Sequence, residues 1–179
     1  MGVSTSFFSA SQEQLEAAAP GWVRPKYGAF GQRETLNPFT GEETLVKQHE
    51  LLSEEPEDCP PDAILELIEP ERAYGWKLDG GELEALMKLI TDASDDKLAE
   101  LTRRALLGPA DAECWVFEIP DVLVKSLARL HANEVPSLAA KWQEELVSAE
   151  PPIELLEQLV AVASEAVAAQ HRMFSYVSL

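Results

Sequence analysis

Polar and apolar positions first alternate. Val3, Thr5 and Phe7 interleave with Ser4, Ser6 and Phe8, the period of two expected of a strand. Ser11-Gln12-Glu13-Gln14 follows, and its Ser-x-x-Gln spacing is that of a capping box, opening a short helix through Leu15 and Ala18. Pro20-Gly21 stops it. Asn37-Pro38-Phe39-Thr40-Gly41-Glu42 reads as a turn, because Pro fixes one φ and Gly permits a positive one. Leu36 before it and Thr44-Leu45-Val46 after it are the arms of a hairpin.

The later part of the chain contains most of the regular pattern. Ile64-Leu65-Glu66-Leu67-Ile68, bounded by Asp62 and Pro70, predicts a strand. Asp79 caps a helix whose Leu83, Leu86, Met87 and Ile90 recur at helical spacing. A second helix runs from Asp95 with Leu98, Leu101 and Ala105 on one face, ending at Gly108-Pro109. Trp115-Val116-Phe117-Glu118-Ile119 is aromatic and β-branched and reads as a strand closed by Pro120. Pro120 suits the start of a helix carrying Val122, Leu123, Leu127 and Leu130. The helix Glu134 to Val147 places Val135, Leu138, Ala139, Trp142 and Leu146 on one stripe. The last helix begins near Pro151-Pro152 and buries Leu155, Leu156, Leu159, Val160, Ala163, Ala166 and Val167. Met173 to Ser178 alternates as a closing strand, expected to pair with Trp115–Ile119. Helices between dispersed strands, without a βαβ repeat, predict an α+β fold. The expected architecture is a small mixed sheet of N-terminal strand and hairpin, central strand and C-terminal strand, packed with about five or six helices.

Composition adds length and charge. At 179 residues the expectation is a single domain, 1–179, with an acidic, Pro-containing connector at about 50–61. Charge changes the picture most: 14 Lys and Arg stand against 32 Asp and Glu, a net of −18. Such a charge disfavours direct contact with nucleic-acid phosphates or an anionic membrane surface and permits a basic protein partner. The excess is spread along the chain, with one local concentration. Glu50, Glu54, Glu55, Glu57, Asp58, Asp62, Glu66, Glu69 and Glu71 fall in a stretch without a single Lys or Arg. Pro56, Pro60 and Pro61 mark its first half as extended and solvated.

No stretch approaches the roughly 18 consecutive apolar residues of a membrane helix, and no charged-then-apolar leader opens the chain. Gly2 and Ser6 fit the loose myristoylation pattern, but a strand explains the same residues and no polybasic segment supplies a second membrane signal. Cys59 lies among prolines and acids, whereas Cys114 opens an apolar run. Two free thiols in a reducing cytoplasm are the expectation.

Chemistry finds little purchase. His49, His131 and His171 are isolated, without CxxC, HExxH or HxH spacing, so no metal site and no cofactor are expected. His131 and His171 sit where an imidazole meets the free carbonyls of a helix end. There is no GxSxG elbow, and the neighbours of Cys114 predict an inert buried thiol. Gly80-Gly81 lies between Asp79 and Glu82, two acids that repel a phosphate. Among 32 acids, proximity of two carboxylates carries no catalytic information. Trp22 and Trp76, each beside a glycine and outside confident elements, are candidate interface anchors or loop staples. Trp115 and Trp142 belong to the core.

Leu15 with Pro20-Gly21-Trp22, then Asn37-Pro38-Phe39-Thr40-Gly41-Glu42, resembles a pattern in small bacterial proteins of unassigned function. Trp142, the Ala/Leu/Glu-rich helix and the aromatic closing strand are similar too, so the resemblance covers both ends. Its motifs are turns and packing positions and imply no activity. The expectation is therefore an acidic, non-enzymatic protein-binding module, concretely an immunity or inhibitor protein that neutralises a basic partner such as a toxin. Its binding residues are Trp22, Glu54, Glu55, Glu57, Asp58 and Trp76. Two alternatives stand beside it: a hydrolase-like enzyme with a dispersed site around Cys114 or a histidine, and a DNA mimic whose acids imitate phosphate spacing.

Overall fold

A computed structural model of the chain describes residues 4–36, 43–68, 80–91, 105–109, 112–145 and 152–179. The opening alternation forms β1 (Ser4–Ala10) and the capping box forms α1 (Gln12–Ala18). Both predicted capping bonds are made. Gln14 N–H donates to Ser11 Oγ at 3.2 Å, and Ser11 N–H donates to Gln14 Oε1 at 2.8 Å. The hairpin arms are β2 (Tyr27–Leu36) and β3 (Glu43–Leu51), paired antiparallel, longer than the sequence pattern indicates. Its turn, 37–42, lies outside the described residues. Next come α2 (Pro61–Leu65), α3 (Gly80–Thr91), β4 (Ala105–Leu107) and β5 (Cys114–Glu118). The chain ends with α4 (Asp121–Leu127), α5 (Val135–Glu145), α6 (Ile153–Ala169) and β6 (Arg172–Ser178).

The class is α+β. Four strands form one sheet in the order β1-β6-β5-β4, every neighbouring pair antiparallel, and the hairpin stands as its own two-stranded sheet. The expected pairing of the closing strand with the central one is present, with Phe117 opposite Ser175 and Val116 opposite Tyr176. On its other side β6 pairs with β1, Phe8 facing Phe174 with ring centroids 5.3 Å apart.

Both faces of this sheet are covered, which the alternation in each strand permits. Phe7 and Met173 point to one side, where α3, α4, α5 and α6 supply Leu86, Met87, Leu123, Leu127, Trp142, Leu156 and Leu159. Trp142 is fully buried and its indole N–H donates to the Glu82 carbonyl at 3.0 Å, tying α5 to α3. Phe8, Val116, Phe174 and Tyr176 belong to a second cluster with Leu15, Ala19, Cys59, Ile64 and Ile68, supplied by α1, α2 and the segment before α2.

Four local expectations are corrected. Where a strand is predicted over Ile64–Ile68, a helix over residues 61–65 ends and a turn follows. Pro61 occupies its first turn, where a missing N–H costs nothing, and Ile64 and Ile68, four apart, are both buried while Leu65 is exposed. Ala105 belongs to a strand, β4, rather than closing a helix, because β4 gains its hydrogen bonds from β5. The rest of that predicted helix, with Leu98 and Leu101, lies outside the described residues, as do Asp79 and Leu146. On α6 the buried stripe takes Val162 and leaves Val167 exposed. On α4 the stripe takes Val124 and leaves Val122 exposed.

The α6–β6 connection turns through Gln170, at φ 55°, ψ 33°. His171 N–H donates back to the Ala166 carbonyl at 2.8 Å, so the main chain of His171, not its imidazole, closes the helix. A left-handed conformation strains a residue with a Cβ. Gln170→Gly is expected to raise stability by about 1 kcal/mol, measured by thermal or urea unfolding.

Candidate functional site

Residues 52–60 cross the end of the four-stranded sheet without regular structure, and the main chain is fixed along the way. At the start, Leu52 N–H donates to the Lys26 carbonyl at 2.9 Å, and Lys26 N–H donates to Ser53 Oγ at 3.1 Å. Midway, Gly108 N–H donates to the Glu57 carbonyl at 2.8 Å. At the end, the Cys114 thiol donates to the Cys59 carbonyl at 3.5 Å, and the Cys59 side chain is buried in the second cluster. Cys59 is the one apolar residue between Glu54 and Pro60, and this is why the chain is held there. Beyond Leu52 and Ser53, what remains exposed along 52–60 is acid. Glu50, Glu54, Glu55, Glu57, Asp58, Asp62 and Glu66 all have exposed side chains. Four of the predicted binding residues, Glu54, Glu55, Glu57 and Asp58, therefore form one strip on a fixed backbone.

Trp22 is brought to the same edge. Its indole N–H donates to the Leu106 carbonyl at 3.0 Å and its ring packs against the second cluster, partly buried. Leu106 and Gly108 flank Leu107 at the end of β4, so β4 holds both Trp22 and the strip. Trp22 acts as a staple while remaining partly exposed. Tyr27 Oη donates to the next carbonyl along, that of Ala105, at 2.5 Å. Side-chain donors thus occupy carbonyls of an edge strand, which blunts its tendency to pair with another chain. Arg24 and Arg172 both ion-pair with Glu118, the Arg172 pair at 2.9 Å. Both arginines are exposed and Glu118 is partly buried, and such solvent-facing pairs orient more than they stabilise. Trp76 lies outside the described residues.

The cysteines are nearer than their sequence surroundings indicate. Both are free and buried, with Cys114 Sγ 3.5 Å from the Cys59 carbonyl oxygen. Burial, then the Cys114 thiol beside it, pushes the Cys59 thiol well above its ordinary range. Burial likewise raises the Tyr176 phenol, with Cys114, Cys59 and Asp62 adding to it. An unionised thiol is a poor nucleophile. The meeting of Cys59, Cys114 and Tyr176 is what sequence reasoning missed; its one signal was an isolated Cys within an acidic run, marking an anchor.

The histidines are separately employed. His49 is buried, its Nδ1 3.1 Å from the Gly28 carbonyl oxygen and its ring against Tyr27 and Phe30. That contact places the proton on Nδ1. His131 is exposed, and its main-chain N–H donates to Glu134 Oε2 at 2.9 Å, so here too the main chain rather than the imidazole serves a helix end. Among the described residues no three His, Cys, Asp or Glu side chains are grouped to hold a metal ion, and no helix is long and apolar enough to cross a membrane.

Compared with known proteins, the chain matches no family model, no curated protein and no solved structure.

Gly108 is the residue on which the strip depends. Its φ is +91°, and a Cβ there would stand 2.3 Å from the Cys114 carbonyl oxygen and 2.7 Å from Trp115 Cδ1. Gly21 has a similar φ, +90°, but open space around it. Gly108→Ala is therefore expected to destabilise by about 2–4 kcal/mol, and Gly21→Ala by only about 1 kcal/mol, in denaturant unfolding. Equal costs at the two sites would contradict the close approach at Gly108.

Proposed function

We propose that this chain is a non-enzymatic protein-binding module that docks on a basic protein, in its concrete form an immunity or inhibitor protein covering the basic site of a toxin. The observation that carries the reading is the strip. Seven exposed carboxylates fall between Glu50 and Glu66 with no Lys or Arg among them, on a main chain held at Leu52, Glu57 and Cys59 and through the Ser53 hydroxyl. A fixed row of like charges keeps its field without the entropy cost of ordering a loose loop on binding. Its principal effect is on encounter: opposite charge steers a partner in and selects against acidic competitors. Trp22, partly exposed at the same edge, supplies an aromatic surface of the kind that dominates binding hot spots.

Placement distinguishes this reading from a general effect of net charge. The strip variant Glu54→Lys, Glu55→Lys, Glu57→Lys, Asp58→Lys changes the net charge as much as a control carrying Glu144→Lys, Glu145→Lys, Glu154→Lys and Glu157→Lys. The control acids are exposed on α5 and α6. The probe is a basic protein that co-purifies with the parent chain, with association followed by surface plasmon resonance at low and high salt. The strip variant is expected to associate at least about tenfold more slowly than the control at low salt, with the gap closing as salt is raised. Equal rates for the two variants, or capture unchanged from the parent chain, would overturn the reading.

A further inference from the structure

We propose that Cys59 and Cys114 are a disulfide-forming pair, a reversible covalent staple that locks the acidic strip to β5. The proposal stands apart from the identity of any partner. Cys114 Sγ lies 3.5 Å from the Cys59 carbonyl oxygen, and both side chains belong to one buried cluster. Each half is held independently. Cys114 stands at the start of β5 opposite Ser178 of β6, and next to it the Glu113 carbonyl accepts from Leu179 N–H at 3.0 Å. Cys59 is held by the Glu57–Gly108 bond two residues before it and by Pro60, whose carbonyl accepts from Ile64 N–H at 3.0 Å at the start of α2. The two cysteines are thus brought together by the fold itself, across a separation of 55 residues.

The reaction needs an oxidant, and a low-molecular-weight disulfide such as oxidised glutathione suffices. One cysteine loses its proton and attacks a sulfur of the small disulfide. One small thiolate leaves, takes up that proton and is released as thiol, and a mixed disulfide forms. The second cysteine then loses its proton and attacks the protein sulfur of that mixed disulfide, expelling the second small thiol. Two protein thiols are oxidised to one disulfide and one small disulfide is reduced to two thiols. Burial keeps both thiols from the reagent until the strip lifts, so the first step is slow and gated by that opening. Once made, the crosslink closes a loop of 55 residues and removes much of the freedom of the unfolded chain.

The test treats the folded parent chain with oxidised glutathione, quenches by alkylation, and maps the products by non-reducing peptide mass spectrometry. The expected product is a monomer with a single Cys59–Cys114 bond, a thermal midpoint raised by about 10 °C, and return to the starting midpoint with dithiothreitol. Cys59→Ser, which lacks the second thiol, is expected to keep glutathione on Cys114. Stable glutathione adducts on both cysteines of the parent chain, disulfide-linked dimers, or two thiols that stay free throughout would each overturn the proposal, whether or not the variant folds.

Discussion

The structure depends on burying both faces of β6. This strand lies between β1 and β5, and its residues alternate between two apolar clusters: Met173 toward the helical layer, Phe174 and Tyr176 toward α1 and α2. A strand covered on one face only would leave large aromatic rings in water, so a second layer is required. The chain meets this with elements that look slight in isolation: a seven-residue helix, a five-residue helix and an irregular segment. Pairing the first strand with the last also means that the sheet completes only when the two ends of the chain meet, a high-separation contact that slows folding.

The acidic strip follows from that requirement. Cys59, Ile64 and Ile68 are drawn onto the second face, and the residues between Leu52 and Cys59 must cross the sheet edge to deliver them. None of the bonds that hold the crossing uses a carboxylate of Glu54, Glu55, Glu57 or Asp58, so these side chains are free to be acidic. Gly108 makes the crossing feasible: without a Cβ, it lies against Cys114 and Trp115 while giving its N–H to Glu57. Structure and proposed function thus share a residue. The glycine that lets β4 end close to β5 also fixes the middle of the charged row.

Much of this was legible in the sequence, for identifiable reasons. Strong local signals held: the Ser11–Gln14 capping box, the helix following Pro120, the stripe of Val135, Leu138, Ala139 and Trp142, and the alternation of Met173 to Ser178. Where neighbours far along the chain decide, local pattern failed. Ala105–Leu107 is too short to announce a strand and becomes one by pairing with β5. Ile64 to Ile68 is apolar enough for a strand, yet the prolines before it and burial of every fourth residue make it a helix and a turn. The acids of the candidate site were readable as composition. That they form a fixed row, with Trp22 at the same edge and two thiols beneath, was not, because nothing local to residues 50–61 encodes Gly108 or Cys114.

The central claim is that the strip is part of the folded body rather than a tether. Amide hydrogen exchange at Gly108 tests it most directly, since its N–H donates to the Glu57 carbonyl of the strip. The expected result is slow exchange at Gly108, of the order seen for Ile119, whose N–H donates to the Met173 carbonyl at 2.9 Å within the sheet. Exchange at Gly108 as fast as in an unstructured peptide, with Ile119 still protected, would contradict it.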